Sequence, residues 1–153
     1  MSCVYFCNPK NDSMQNNRTF TLIKPDVVLK GHLGEIMQTI QDNGFKIIAL
    51  KLTRLSRVEA MDFYHLHKEK SFYNTLIDFM ISGPIVPMVL EKENAVEDFR
   101  KLIGATDPQE AAFGTIRRKF GSTKTKNAIH ASDSIANSEI EGSFYFSKRE
   151  LFV

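Results

Sequence analysis

The chain has 153 residues, 42% of them hydrophobic and 25% charged, with a formal net charge of +2. That length suits one domain with a substantial core, and the composition excludes a disordered chain. The charge is too small to require nucleic acid, and no apolar run approaches the roughly 20 residues that span a bilayer.

The opening, Met1 to Cys7, lacks the basic start and full apolar segment of a secretion signal. Its two cysteines, Cys3 and Cys7, lie too near the terminus to staple a core, which points to a reducing compartment. These features describe a soluble, cytoplasmic protein. The polar run NPKNDSMQNN closes a segment, residues 1–17, that reads as a flexible N-terminal extension before a domain over 18–153.

Thr19 to Ile23 reads as a β-strand from its β-branched and aromatic residues, and Pro25 stops it with Lys24 at its end. Leu33, Ile36, Met37 and Ile40 fall at i, i+3, i+4 and i+7, an amphipathic helix that Gly44 closes. Phe45 to Leu55 reads as a second strand in which Leu50 and Leu52 alternate with Lys51 and Thr53. Ser56 and Glu59 form a capping box for a helix through His67 that carries Tyr64. His65 and His67 stand about 200° apart around such a helix, so they share no metal and read as surface residues.

Tyr73, Leu76, Ile77 and Met80 predict the second helix of a pair, broken at Gly83-Pro84. Ile85 to Glu91 follows as a third strand, in which Pro87 implies a bulge or an edge position. Asn94 caps a helix with Val96, Phe99, Arg100, Leu102 and Ile103, ended by Gly104. From Gly104 to Lys126 no periodicity persists, and a loop this long in a compact domain is read as functional. A helix through Ile135, Ala136 and Ile140, capped by Ser132, Asp133 or Ser134, leads to a final strand at Ser143 to Phe146. The expected fold is α+β and ferredoxin-like: a split β-α-β arrangement with a four-stranded, mostly antiparallel sheet covered by helices.

Chemistry centres on Asn127 to Ser134, NAIHASDS, where His130 stands beside a helix start. A neutral imidazole is a good nucleophile near physiological pH, and helix N-terminal amides favour an anion. Taken alone, a histidine in this setting is more often a surface or core residue than a functional one. There is no Walker A loop and no GxGxxG, so phosphate binding falls to scattered cations: Lys24, Arg100 and Arg117.

From about Arg18 to Phe146 the chain resembles the nucleoside diphosphate kinases. The shared motifs run in order: TLIKPD (Thr21–Asp26), GEI (Gly34–Ile36), FY (Phe63, Tyr64), SGP (Ser82–Pro84), RKLIGATDP (Arg100–Pro108), GTIR (Gly114–Arg117) and NAIHASDS. The resemblance implies a ping-pong reaction in which His130 takes the γ-phosphate of a nucleoside triphosphate, typically ATP, and passes it to a nucleoside diphosphate. By their motif positions, Lys24 and Arg117 would neutralise the transferring phosphoryl, Arg100 and Thr106 would hold the β-phosphate side, and Tyr64 would meet the γ-phosphate. Asn127 with Lys24 would contact the sugar hydroxyls, and Phe72 would stack on the base. Glu141 would hold the imidazole by its other nitrogen, with Ser132 bonded to that glutamate. Mg2+ would ride on the nucleotide phosphates with no protein ligand, and the protein would be a homo-oligomer, with a hexamer favoured over a tetramer or dimer. Three positions depart from the family pattern. Ala131 replaces a glycine and is expected to put a methyl near the phosphate, Lys124 replaces an aliphatic residue against the base, and Val27-Val28 follows Pro25-Asp26. The first two supply a second reading, a catalytically weakened nucleotide-binding or scaffold member of the family.

Overall fold

A computed structural model describes residues 17–151. The expectation for residues 1–16 lies outside the described residues; Asn17 joins the fold, its carbonyl accepting from the Lys92 amide.

Four strands form one antiparallel sheet in the order β2-β3-β1-β4: β1 (Arg18–Ile23), β2 (Lys46–Leu50), β3 (Val86–Glu91) and β4 (Ile129–Ala131). The β1–β2 and β3–β4 connections each skip a strand, so two crossover helices, α2 (Leu33–Asp42) and α5 (Ala95–Ile103), lie on one face. They bury Ile36, Ile40, Phe99 and Ile103 against Ile23, Val86, Met88 and Leu90. The opposite face carries α3 (Arg57–Phe63) and α4 (Tyr73–Met80), which cover Phe20, Leu22, Ile48 and Val89 together with Phe146. This is the split β-α-β, ferredoxin-like sheet expected from the sequence, with helices on both faces.

The early elements match their sequence signals. Gly44 follows α2 at φ +81, and Ser56 and Glu59 close both bonds of the capping box on α3. Three strand assignments change. Pro87 lies in β3, an interior strand, opposite Leu22 of β1. In an antiparallel strand the N–H and C=O of one residue point the same way, and the Pro87 carbonyl accepts from Lys51. The missing N–H therefore faces Lys51, and there β2 stops; pairing returns only as an isolated bridge between Thr53 and Ile85. That shortens the second strand from Phe45–Leu55 to Lys46–Leu50, with an extra residue bulged between Ile47 and Ala49, and leaves Leu50 and Leu52 exposed.

The fourth strand is not Ser143–Phe146. It is Ile129–Ala131, three residues too few to show a period, and Ser143 to Tyr145 belong to α7 (Ile135–Tyr145). Aromatic content favoured a strand there, but the Ser134 cap, its Oγ accepting from the Asn137 amide, and the packing of α7 over β1 hold the helix on. Two short helices were not anticipated: α1 (Pro25–Leu29), where Pro25 suits a first helical turn, and α6 (Ile116–Phe120) inside the long loop. The helix expected through His67 ends at Phe63, followed by a 3-10 turn over His65–His67 with Tyr64 between.

Candidate active site

His130 is the middle residue of β4, opposite Leu22. Alternation along the strand sends Ile129 and Ala131 into the core under α2 and α5, and His130 to the other face. There the imidazole is walled by three rings, Phe63 at 5.7 Å, Phe20 at 6.1 Å and Tyr64 at 6.3 Å between centroids. The Ala131 methyl is therefore core packing, and since Ala131 is not at positive φ the strand does not require glycine there.

Glu141, near the C-terminal end of α7, places Oε2 3.0 Å from His130 Nε2. The distance is that of a hydrogen bond, but the angle falls outside hydrogen-bond geometry, so the pair is in contact and not yet aligned. Ser132 Oγ donates to the same carboxylate oxygen in a very short contact and also reaches the Phe20 carbonyl. With Nε2 against a carboxylate, the neutral tautomer that carries its proton on Nε2 leaves Nδ1 with a lone pair.

Lys24 directly follows β1 as the N-cap of α1, and its side chain is buried. Its ammonium donates to Asn127 Oδ1 at 2.7 Å and to the Thr125 carbonyl at 3.1 Å, while Asn127 Nδ2 donates to the Thr106 carbonyl. Burial, then the Arg117 guanidinium, push Lys24 down to about 7. Arg117, on α6, fans its guanidinium onto the carbonyls of Ile129 and Gly104, and burial and then Arg100 bring it down to about 10. Asp133 is held low chiefly by the hydrogen bond from the Asn137 side chain, with Arg100 a minor contributor. Arg100 thus weighs on Arg117 and Arg117 on Lys24, the electrostatics of a place built for an anion.

The backbone supporting these groups is specialised. Gly104 ends α5 at φ +85, and a Cβ there would lie 2.5 Å from Thr115 Oγ1. Gly83 of the SGP motif lets its loop press on Pro25, where a Cβ would meet Leu29 Cδ1 at 2.9 Å. Ala128 is buried at φ +70 and its carbonyl accepts from the Lys24 amide, so the turn into β4 carries strain next to the histidine.

The expected site residues come together. Phe72 is half-exposed and reaches the group through His67, 5.9 Å from Phe72 and 6.3 Å from Tyr64. His67, read from sequence as a surface residue, is exposed, and partial desolvation and then the nearby His130 hold it low, which its spacing from His65 does not signal. Phe20 and Tyr145 also went unnoticed, because a core aromatic and a site wall look alike in sequence. Lys124 is exposed, with its ammonium 3.5 Å from Asp107. Among the described residues no helix is long and apolar enough to cross a membrane.

The nucleoside diphosphate kinase family model matches residues 17–151. A nucleoside diphosphate kinase of Flavobacterium psychrophilum is 54% identical over 139 residues, covering 91% of this chain and all of that one. One from Chlorobaculum parvum is 53% identical over 88% of this chain and 96% of its own. Among solved structures, the Aquifex aeolicus nucleoside diphosphate kinase superposes with a TM-score of 0.86 at 45% identity, over 88% of this chain and 98% of its own. That of Halobacterium salinarum, solved in complex with CDP, gives 0.87 at 37% identity, over 90% of this chain and 92% of its own. With its histidine, carboxylate and converging cations on this sheet, the chain belongs to the nucleoside diphosphate kinase family.

Proposed function

We propose that this chain moves the terminal phosphoryl group of a nucleoside triphosphate to a nucleoside diphosphate through a phosphohistidine at His130. The observation that carries the reading is the contact of Glu141 with Nε2, which leaves Nδ1 as the attacking atom. The Nδ1 lone pair attacks the γ-phosphorus, the bond to the bridging oxygen breaks, and the diphosphate leaves with that electron pair. The proton on Nε2 stays in place, and Glu141, steadied by Ser132, offsets the positive charge that grows on the ring. A terminal oxygen of the acceptor diphosphate then reverses the step.

The other roles follow the family's motif positions, carried onto the matching residues here. Lys24 and Arg117 neutralise the transferring oxygens, Arg100 and Thr106 hold the β-phosphate side, and Tyr64 meets the γ-phosphate. Phe72 stacks on the base, and Asn127 with Lys24 takes the sugar hydroxyls. The nucleotide arrives as its Mg2+ complex, an ion that keeps much of its water and is held by substrate oxygens. The protein works as a homo-oligomer in the cytoplasm, with a hexamer favoured over a tetramer or dimer. Steady-state rates with ATP and GDP varied together test the mechanism. Parallel double-reciprocal lines, and no turnover by His130→Ala, are expected; intersecting lines mean direct transfer and refute the covalent route.

A further inference from the structure

Two phenols sit close to the Glu141–His130 pair, and only Tyr64 has a role above. The other, Tyr145, is the last residue of α7, one turn beyond Glu141. Helical side chains lean back over the preceding turn, so residues at i and i+4 meet, and the Tyr145 ring lies over the turn that carries Glu141. It stacks on Phe20 at 5.4 Å with planes 7° apart and meets Phe63 at 5.3 Å, two of the rings that wall the imidazole.

Its hydroxyl is buried and has no hydrogen-bond partner among the described residues. A phenylalanine would fill the same space without burying a lone donor, so the oxygen is a cost unless some state of the protein uses it. Burial raises the phenol well above its usual range, and Tyr64, Glu59 and Glu141 raise it further, so the group stays a proton donor. The candidate acceptor stands one helical turn back, on Glu141. Ser132 and His130 both address Oε2 of Glu141, and Oε1 takes no bond among the described residues.

We propose that Tyr145 is a positioning residue: its hydroxyl donates to Glu141 as His130 takes up the phosphoryl group, and so holds the carboxylate in line with Nε2. The misaligned 3.0 Å contact is the resting form of this arrangement, and the added bond is what turns the carboxylate onto the N–H as positive charge grows on the ring. The inference rests on the phosphohistidine reading.

The test is Tyr145→Phe, which deletes one oxygen and keeps the stacked ring. Rapid-quench loading of His130 by Mg-ATP is measured in the parent, Tyr145→Phe, Glu141→Gln and the double variant, with thermal melts alongside. The loading rate at saturating ATP is expected to fall about three- to tenfold, the weight of one ordinary hydrogen bond, at unchanged apparent ATP affinity. In the Glu141→Gln background the second substitution should cost clearly less than in the parent, because the hydroxyl acts through residue 141 and an amide oxygen accepts more weakly than a carboxylate. Unchanged loading with a higher melting temperature makes the hydroxyl a packing orphan and overturns the proposal. An equal loss in both backgrounds makes the effect one of packing and also overturns it. Failure of the parent to load would instead remove the reading beneath.

Discussion

Gly104→Ala perturbs stability and chemistry through one atom. At φ +85 and ψ −178 Gly104 occupies a backbone region open essentially to glycine, which costs another residue about 1–3 kcal/mol. The new Cβ would stand 2.5 Å from Thr115 Oγ1 and 2.8 Å from Thr115 Cβ, contacts that force a shift worth about another 1–3 kcal/mol. A domain of this size loses about 2–4 °C of melting temperature per kcal/mol, so a fall of about 4–24 °C is expected in differential scanning calorimetry. The same shift moves the Gly104 carbonyl that accepts from Arg117 Nη1 and the Thr115 that precedes α6, so the Arg117 guanidinium loses its aim. Loading of His130 by ATP, measured well below the new melting temperature, should slow about tenfold or more, as charge-assisted contacts to the phosphoryl lengthen. A melting temperature within 2 °C of the parent, with normal loading, would refute the view that this glycine sets the position of Arg117.

Lys24, held down to about 7 by burial and Arg117, should regain its proton when an anion binds. Nucleotide binding at pH 8 is then accompanied by proton uptake in calorimetry across buffers of different ionisation enthalpy, and Lys24→Met removes it; a buffer-independent enthalpy in the parent contradicts the assignment. Without nucleotide, stability should rise as pH climbs from about 7 toward 10.5, because the unfolded chain binds the extra proton over that range. Denaturant midpoints read this directly. Glu141→Gln keeps the shape but not the charge beside Nε2, and loading should slow about 10- to 100-fold, the worth of about 1.5–3 kcal/mol for a charged hydrogen bond, with little change in melting temperature. Lys124→Val breaks an exposed pair with Asp107 and should change stability by under about 1 kcal/mol in urea titration.

The sequence revealed most where its signals are local. The 3.6-residue period of Leu33 to Ile40, the Ser56–Glu59 box and the β-branched and aromatic run before Pro25 each carry their own physics and appear in the structure where expected. Tertiary pairing was less legible. β4 is three residues long and exists because Thr21 to Ile23 offer it an edge, whereas the aromatic run at Ser143 to Phe146 has strand propensity but sits at the end of a capped helix. Pro87 suits an interior strand only because its bare nitrogen faces the break in β2, a fact of register that no window around Pro87 contains. At the site, family motifs named His130, Glu141, Lys24 and Arg117, but could not show that Arg100 lowers Arg117 and Arg117 lowers Lys24, or that Phe20 walls the imidazole with Tyr145 stacked behind it. Those relations depend on which strand face carries which side chain, and the misplaced fourth strand hid that. Ala131 is the clearest case, expected beside a phosphate and found in the core.

The central claim is a covalent phosphoryl on His130, and intact mass tests it most directly. The protein is exposed briefly to ATP and Mg2+, weighed, then mixed with GDP and weighed again, with His130→Ala in parallel. One acid-labile phosphoryl adduct per chain, discharged by GDP and absent from the variant, is the predicted result. An adduct that persists in His130→Ala, or none in a parent chain that binds nucleotide, would contradict the account.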